Sequence, residues 1–149
     1  MRNTEQFQRE VLLRTDRKLE SKYVMGVNHE YSYDTDDDFA SALRLLNGDS
    51  DLDFGDYKHA IVMPLADRSL DAIFRSERPD KNQIRVLAEQ LAEAIKHVHS
   101  KGLIHGDVKL QNVVRFGEGL RLIALDASVE IDSTLMLTSI ALSLVPSSR

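Results

Sequence analysis

Three features of this 149-residue sequence predict an α+β fold. From Asp80 to about Ser100, Ile84, Leu87, Leu91, Ile95 and Val98 recur at helical spacing, with Ala88 and Ala94 at the edges of the stripe. Short β-prone runs near residues 23–27, 58–63, 112–116 and 120–125 read as strands. Gly117-Glu118-Gly119 joins the last two of these at hairpin spacing.

Taken in order, residues 3 to about 20 predict a helix, with Asn3 and Gln6 as a capping pair and Phe7, Val11, Leu12 and Leu13 on its apolar side. Tyr23-Val-Met-Gly-Val27 is short, apolar and β-prone. Residues 34–56 then read as an irregular acidic insert with eight aspartates, in which Phe39–Leu46 is spaced for a two-turn helix stopped by Asn47-Gly48. Asp49-x-Asp51-x-Asp53 opens like a calcium-binding helix–loop–helix segment. Its sixth position is Phe54 rather than glycine and its twelfth Ala60 rather than glutamate, so a solvated acidic loop is the better reading. Lys58–Met63 is the second strand, and Ser69 or Asp67 can cap a short helix bearing Leu70, Ile73 and Phe74. The long helix starts at Asp80, whose partner Gln83 completes a capping box, and Gly102 ends it. His97 and His99, two residues apart in its last turn, point to different faces and read as surface or capping residues rather than metal ligands.

Composition excludes several classes. With 19 basic against 24 acidic residues the net charge is −5, which argues against a nucleic-acid surface. The absence of cysteine removes disulfide frameworks and thiolate metal sites. The N-terminus has no apolar run of the signal-peptide kind, and the run Thr134–Val145, at 12 residues, is too short to cross a membrane. A cytoplasmic protein without membrane or nucleic-acid partners is the expectation; oligomeric state is not legible.

The chemistry concentrates in Leu103-Ile-His-Gly-Asp-Val-Lys-Leu-Gln-Asn112, a loop following the long helix. It carries a carboxylate (Asp107), an ammonium (Lys109) and an amide (Asn112) close together, and the hairpin brings back a second carboxylate, Asp126, at the end of an apolar strand. A base, a cation and two oxygen ligands for a hard metal are what phosphoryl transfer from a nucleotide requires.

This stretch resembles the protein-kinase catalytic loop, His-Arg-Asp-x-x-x-x-Asn followed by Asp-Phe-Gly. Leu91–His105 is similar to the helix and strand that precede that loop, and Ala60–Leu70 to the hinge between kinase lobes; the likeness covers roughly residues 58–128. It implies a kinase-like fold incomplete at both ends. Residues 1–66 would be a partial N-lobe, 67–128 a partial C-lobe and 129–149 a divergent tail. It implies an ATP- and Mg2+-dependent transfer to serine or threonine hydroxyls of a protein substrate. Asp107 would take the hydroxyl proton, Lys109 would stabilise the transferring phosphoryl group, and Asn112 and Asp126 would hold magnesium. Met63 would gate the adenine pocket, Pro64, Leu65 and Ala66 would form the hinge, and Glu10 would be the helix glutamate that pairs with a strand lysine. Pro64 has no N–H, so adenine contacts fall to its carbonyl and to Leu65 and Ala66.

Departures from the family pattern qualify the activity. Gly106 stands where an arginine usually holds a phosphorylated activation loop. Ala127-Ser128 replaces Phe-Gly, and Arg14 occupies a position usually apolar. No Gly-x-Gly-x-x-Gly loop or strand lysine precedes Glu10. The expectation is a chain of low or no turnover. The alternatives are a kinase-derived binding module (a pseudokinase) and a phosphotransferase of the aminoglycoside or choline kinase type. Those enzymes also share His-Gly-Asp but usually carry histidine where Lys109 stands.

Overall fold

Helix α4, Lys81–Ser100, organises the molecule, and its start is written locally. Asp80 accepts from the Gln83 N–H at 2.9 Å, and the Gln83 side chain accepts from the Asp80 N–H at 2.8 Å, so the expected capping box is closed. Its C-terminal half is the buried half: Ala94 and Val98 enter a core shared with Val24, Leu70, Leu103 and Leu122. The first turns reach past this core, which leaves Ile84, expected in the stripe, 42 % exposed. Gly102, at φ +76°, ends the helix in the left-handed conformation that glycine takes most readily.

The computed structural model describes residues 4–49 and 57–131. The expected Asn3 cap, the aspartates at 51, 53 and 56 and the run Thr134–Val145 lie outside them. The other elements are helix α1 (Thr4–Asp16), strand β1 (His29–Ser32), helix α2 (Asp37–Asp49), β2 (His59–Val62), β3 (Arg68–Ser69), α3 (Leu70–Ser76), β4 (Leu103–Ile104), β5 (Val113–Phe116), β6 (Gly119–Leu122) and β7 (Val129–Glu130). The result is a mixed α+β architecture whose strands form small antiparallel sheets: β1–β2, β3–β5–β6 and β4–β7. In the β5–β6 hairpin Phe116 faces Gly119, and Gly117 takes φ +60° at the turn. Of the two candidate caps, Ser69 rather than Asp67 caps α3, its hydroxyl accepting from the Ala72 N–H at 3.2 Å.

Several expectations are corrected. Residues 23–27 form no strand. Val24 makes one parallel bridge to Leu122, with Met25 N–H donating to the Leu122 carbonyl at 2.9 Å. Val24 and Met25 are apolar because they are buried in the core, and burial without a ladder leaves the same sequence signal. A strand does form at His29–Ser32, where His29 and Glu30 give no apolar pattern. Much of the acidic insert is regular. Asp36 accepts from the Phe39 N–H at 2.8 Å at the start of α2, and Phe39 stacks on Tyr31 with ring centroids 5.5 Å apart. This helix runs on to Asp49, beyond the Asn47-Gly48 stop. The strand expected over residues 120–125 ends at Leu122. Ala124, at φ 61° and ψ 68°, breaks the ladder and turns the chain into a single 3-10 turn, Leu125–Ala127.

Candidate functional site

The centre of the site is the loop between β4 and β5, whose geometry is imposed by His105 and Gly106. His105 is buried, and its Nε2 lies 2.9 Å from the Ile123 carbonyl, which can only accept, so Nε2 carries the proton. Its Nδ1 is then left to accept from the Asp107 N–H, at 3.3 Å. Both ring nitrogens are occupied by a neutral imidazole, and burial above all pulls the His105 pKa below its ordinary value. Gly106 follows at φ +80°, and a Cβ placed there would lie 2.2 Å from the Ala127 carbonyl oxygen. The loop that carries Asp107 and the Asp126 segment thus meet backbone to backbone, at a spot where no side chain fits. Ser128 adds a second tie, its hydroxyl donating to the His105 carbonyl at 3.2 Å.

Asp107, Lys109 and Asn112 form one hydrogen-bonded unit. Lys109 Nζ lies 2.7 Å from Asp107 Oδ2. Asn112, at the end of the 3-10 turn Leu110–Asn112, donates from Nδ2 to Asp107 Oδ2 at 2.7 Å and to the Asp107 carbonyl at 2.9 Å. The Lys109 hydrogen bond is the chief cause that holds the Asp107 carboxyl below the ordinary carboxylate range, with the Lys109 charge, the Asn112 bond and His105 adding to it against a desolvation cost. The Asp107 and Lys109 side chains are both partly exposed, so the pair is open to solvent.

Asp126 sits inside the 3-10 turn rather than at a strand end, within a residue of the Gly106–Ala127 contact. It lines a cavity of about 350 Å³ together with Glu10, His59, Ile61, Met63 and Ala124. Glu10 and Met63 are therefore brought to the same cleft as Asp126 by α1 and by the end of β2. The hinge residues are less engaged: Leu65 is 92 % exposed, and Pro64 and Ala66 are half-buried.

Glu10 is 3 % exposed and its partner is not a strand lysine. Arg14, one turn along the same helix, places Nη2 2.8 Å from Glu10 Oε1, donates from Nη1 to the Glu10 carbonyl and donates from Nε to the Met25 carbonyl at 2.8 Å. The other Glu10 carboxylate oxygen, Oε2, is buried without a hydrogen-bond partner among the described residues. Arg9, which no motif singled out, donates to the Asp126 carbonyl at 3.1 Å and ties α1 to the site. It escaped notice because a helix-surface arginine carries no local signal of a partner 117 residues away.

Among the described residues no group of three or more His, Asp or Glu side chains clusters as a metal site. Asn112 and Asp126 carry an amide oxygen and a carboxylate, donors of the hard type that magnesium takes. No helix of the described residues is long and apolar enough to cross a membrane. Compared with protein-family models and with curated proteins, the chain matches none of them.

Proposed function

We propose that this chain is a protein-kinase-like phosphotransferase, built on a kinase-type fold, that uses ATP and Mg2+ to phosphorylate serine or threonine hydroxyls of a protein. The observation that carries the reading is the Asp107–Lys109–Asn112 unit, joined through the Gly106–Ala127 contact to Asp126.

In this reading the substrate hydroxyl donates to the ionised Asp107 carboxylate. As the hydroxyl oxygen bonds to the γ-phosphorus, the bond to the bridging oxygen breaks, its electron pair leaves with ADP, and the proton passes to Asp107. Lys109, beside Asp107, offsets negative charge on the moving phosphoryl group. Asn112 fixes the carboxylate in place, so that little reorganisation is needed at the moment of transfer. Asn112 and Asp126 would hold magnesium, which when bound neutralises phosphate charge. Met63 would wall the nucleotide cleft, and the backbone of Pro64, Leu65 and Ala66 would supply the contacts to adenine.

Slow turnover by the 149-residue chain is part of the proposal. Glu10, which would orient a phosphate-holding strand lysine, is already paired with Arg14. Loss of one such electrostatic contact costs on the order of 3 kcal/mol. The Glu10–Arg14 pair also favours the second reading, a pseudokinase that binds nucleotide or a partner without transfer. Radiolabelled ATP with purified chain and a generic serine/threonine protein substrate tests the first reading, and calorimetry with Mg-ATP tests binding. Weak transfer abolished by Asp107→Asn supports a phosphotransferase. Binding with no transfer favours the pseudokinase, and neither binding nor transfer removes both nucleotide-based readings.

A further inference from the structure

Away from the cleft, the end of α4 is fastened to the turn that follows α1 by a histidine in a demanding role. The Glu20 backbone N–H points at His97 Nε2 from 3.0 Å. A backbone N–H only donates, so Nε2 must be the unprotonated nitrogen and Nδ1 must carry the proton. Nδ1 lies 3.8 Å from Glu20 Oε1, and the ring stacks on Tyr23 with centroids 4.7 Å apart. His97 is buried, which corrects the expectation that it lies on the surface as His99 does.

The Glu20 peptide is a hub. Its carbonyl accepts from the N–H groups of Tyr23 and Val24, at 2.9 and 3.1 Å. Val24 then bridges Leu122, and Tyr23 accepts from the Leu122 N–H at 2.8 Å. One imidazole acceptor therefore anchors the turn that ties α1 to the central sheet.

We propose that His97 is a pH-sensitive latch: protonation at Nε2 sets two donors against each other and releases the Glu20 turn from α4. This inference does not depend on the phosphotransfer reading. The charged and titratable groups facing the ring, among the described residues, are Glu20, Tyr23 and Lys101, with Lys22 Nζ 5.0 Å from the Tyr23 ring centroid. Glu20 favours the charged ring, while burial, the largest influence, and Lys101 oppose it, and the net shift is below the ordinary 6.5. A histidine depressed in the folded state carries no penalty above 6.5; the penalty grows as pH falls below that value and is complete once the folded pKa is passed. The latch therefore opens on the acid side of 6.5.

Site-resolved NMR on the intact chain tests this. The His97 ring is titrated, and exchange of the Glu20 amide is followed from pH 7.5 to 5, corrected for intrinsic exchange. The expected result is a His97 midpoint below 6.5 and a parallel loss of Glu20 protection of about tenfold or more, the scale of one buried hydrogen bond. His97→Gln, whose amide oxygen can accept without titrating, is expected to keep the protection flat. A His97 midpoint at or above 6.5, or Glu20 protection indifferent to ring protonation in the unmutated chain, overturns the proposal.

Discussion

Asn112 holds Asp107 at two points with a single nitrogen: Nδ2 lies 2.7 Å from the carboxylate and 2.9 Å from the backbone carbonyl of the same residue. The amide closes a ring over residues 107–112 and fixes side chain and main chain of Asp107 together.

Asn112→Ala removes both bonds at a buried position. We expect a loss of about 1–2 kcal/mol, since both Asp107 acceptors regain water only in part. Urea denaturation checks this through a lower midpoint with an unchanged slope. An unaltered midpoint would mean that the loop is held by other contacts.

Lys109→Met tests the electrostatics of the same unit. Lys109 is the leading cause of the depressed Asp107 pKa, so its removal should move that pKa up toward the ordinary 3.8. Part of the depression persists because Asn112 still donates. The sign follows from linkage: stability from a depressed carboxylate is present above 3.8 and disappears as pH falls through the folded value, so the variant should lose less on acidification. Carboxyl carbon NMR of Asp107 reads the shift directly. A pKa that stays put or falls would remove Lys109 as the cause.

Gly106→Ala places a methyl group 2.2 Å from the Ala127 carbonyl oxygen at a residue with φ +80°. The nearest atoms are the carbonyl oxygen and carbon of Ala127, not the end of a flexible side chain, so backbone must move. A destabilisation of about 1–3 kcal/mol is expected. Amide shift changes should reach Asp126 and Ser128 as well as Asp107. Changes confined to residues 105–107 would show that the two segments are not coupled through this contact.

Arg14→Met leaves the Glu10 carboxylate buried beside the cleft without its cation. Breaking such a pair from one side costs about 3–5 kcal/mol. Glu10→Gln combined with Arg14→Met removes the stranded charge as well. The double variant should therefore unfold at higher denaturant than Arg14→Met alone, a coupling that a double-mutant cycle measures. Additive losses would argue that Arg14 stabilises α1 mainly through the Met25 carbonyl.

What the sequence determined by itself is local. The Asp80–Gln83 capping box, the Ser69 cap, the Gly102 terminator and the Gly117 hairpin all form as expected, because each depends on residues within a few positions of one another. Asp107, Lys109 and Asn112 could be grouped for the same reason: they lie within a few positions of one another on one loop. The tertiary structure decided everything that depends on a distant partner. It turned the apolar residues Val24 and Met25 into core rather than strand, and left Ile84 outside the core. It buried His97 against the Glu20 amide, gave Glu10 to Arg14, and set Arg9 on the Asp126 carbonyl. Apolar periodicity reports that a face will be covered, and a polar side chain reports that it will need a partner. Which surface covers the one and which atom satisfies the other is settled only when segments far apart in the chain pack together.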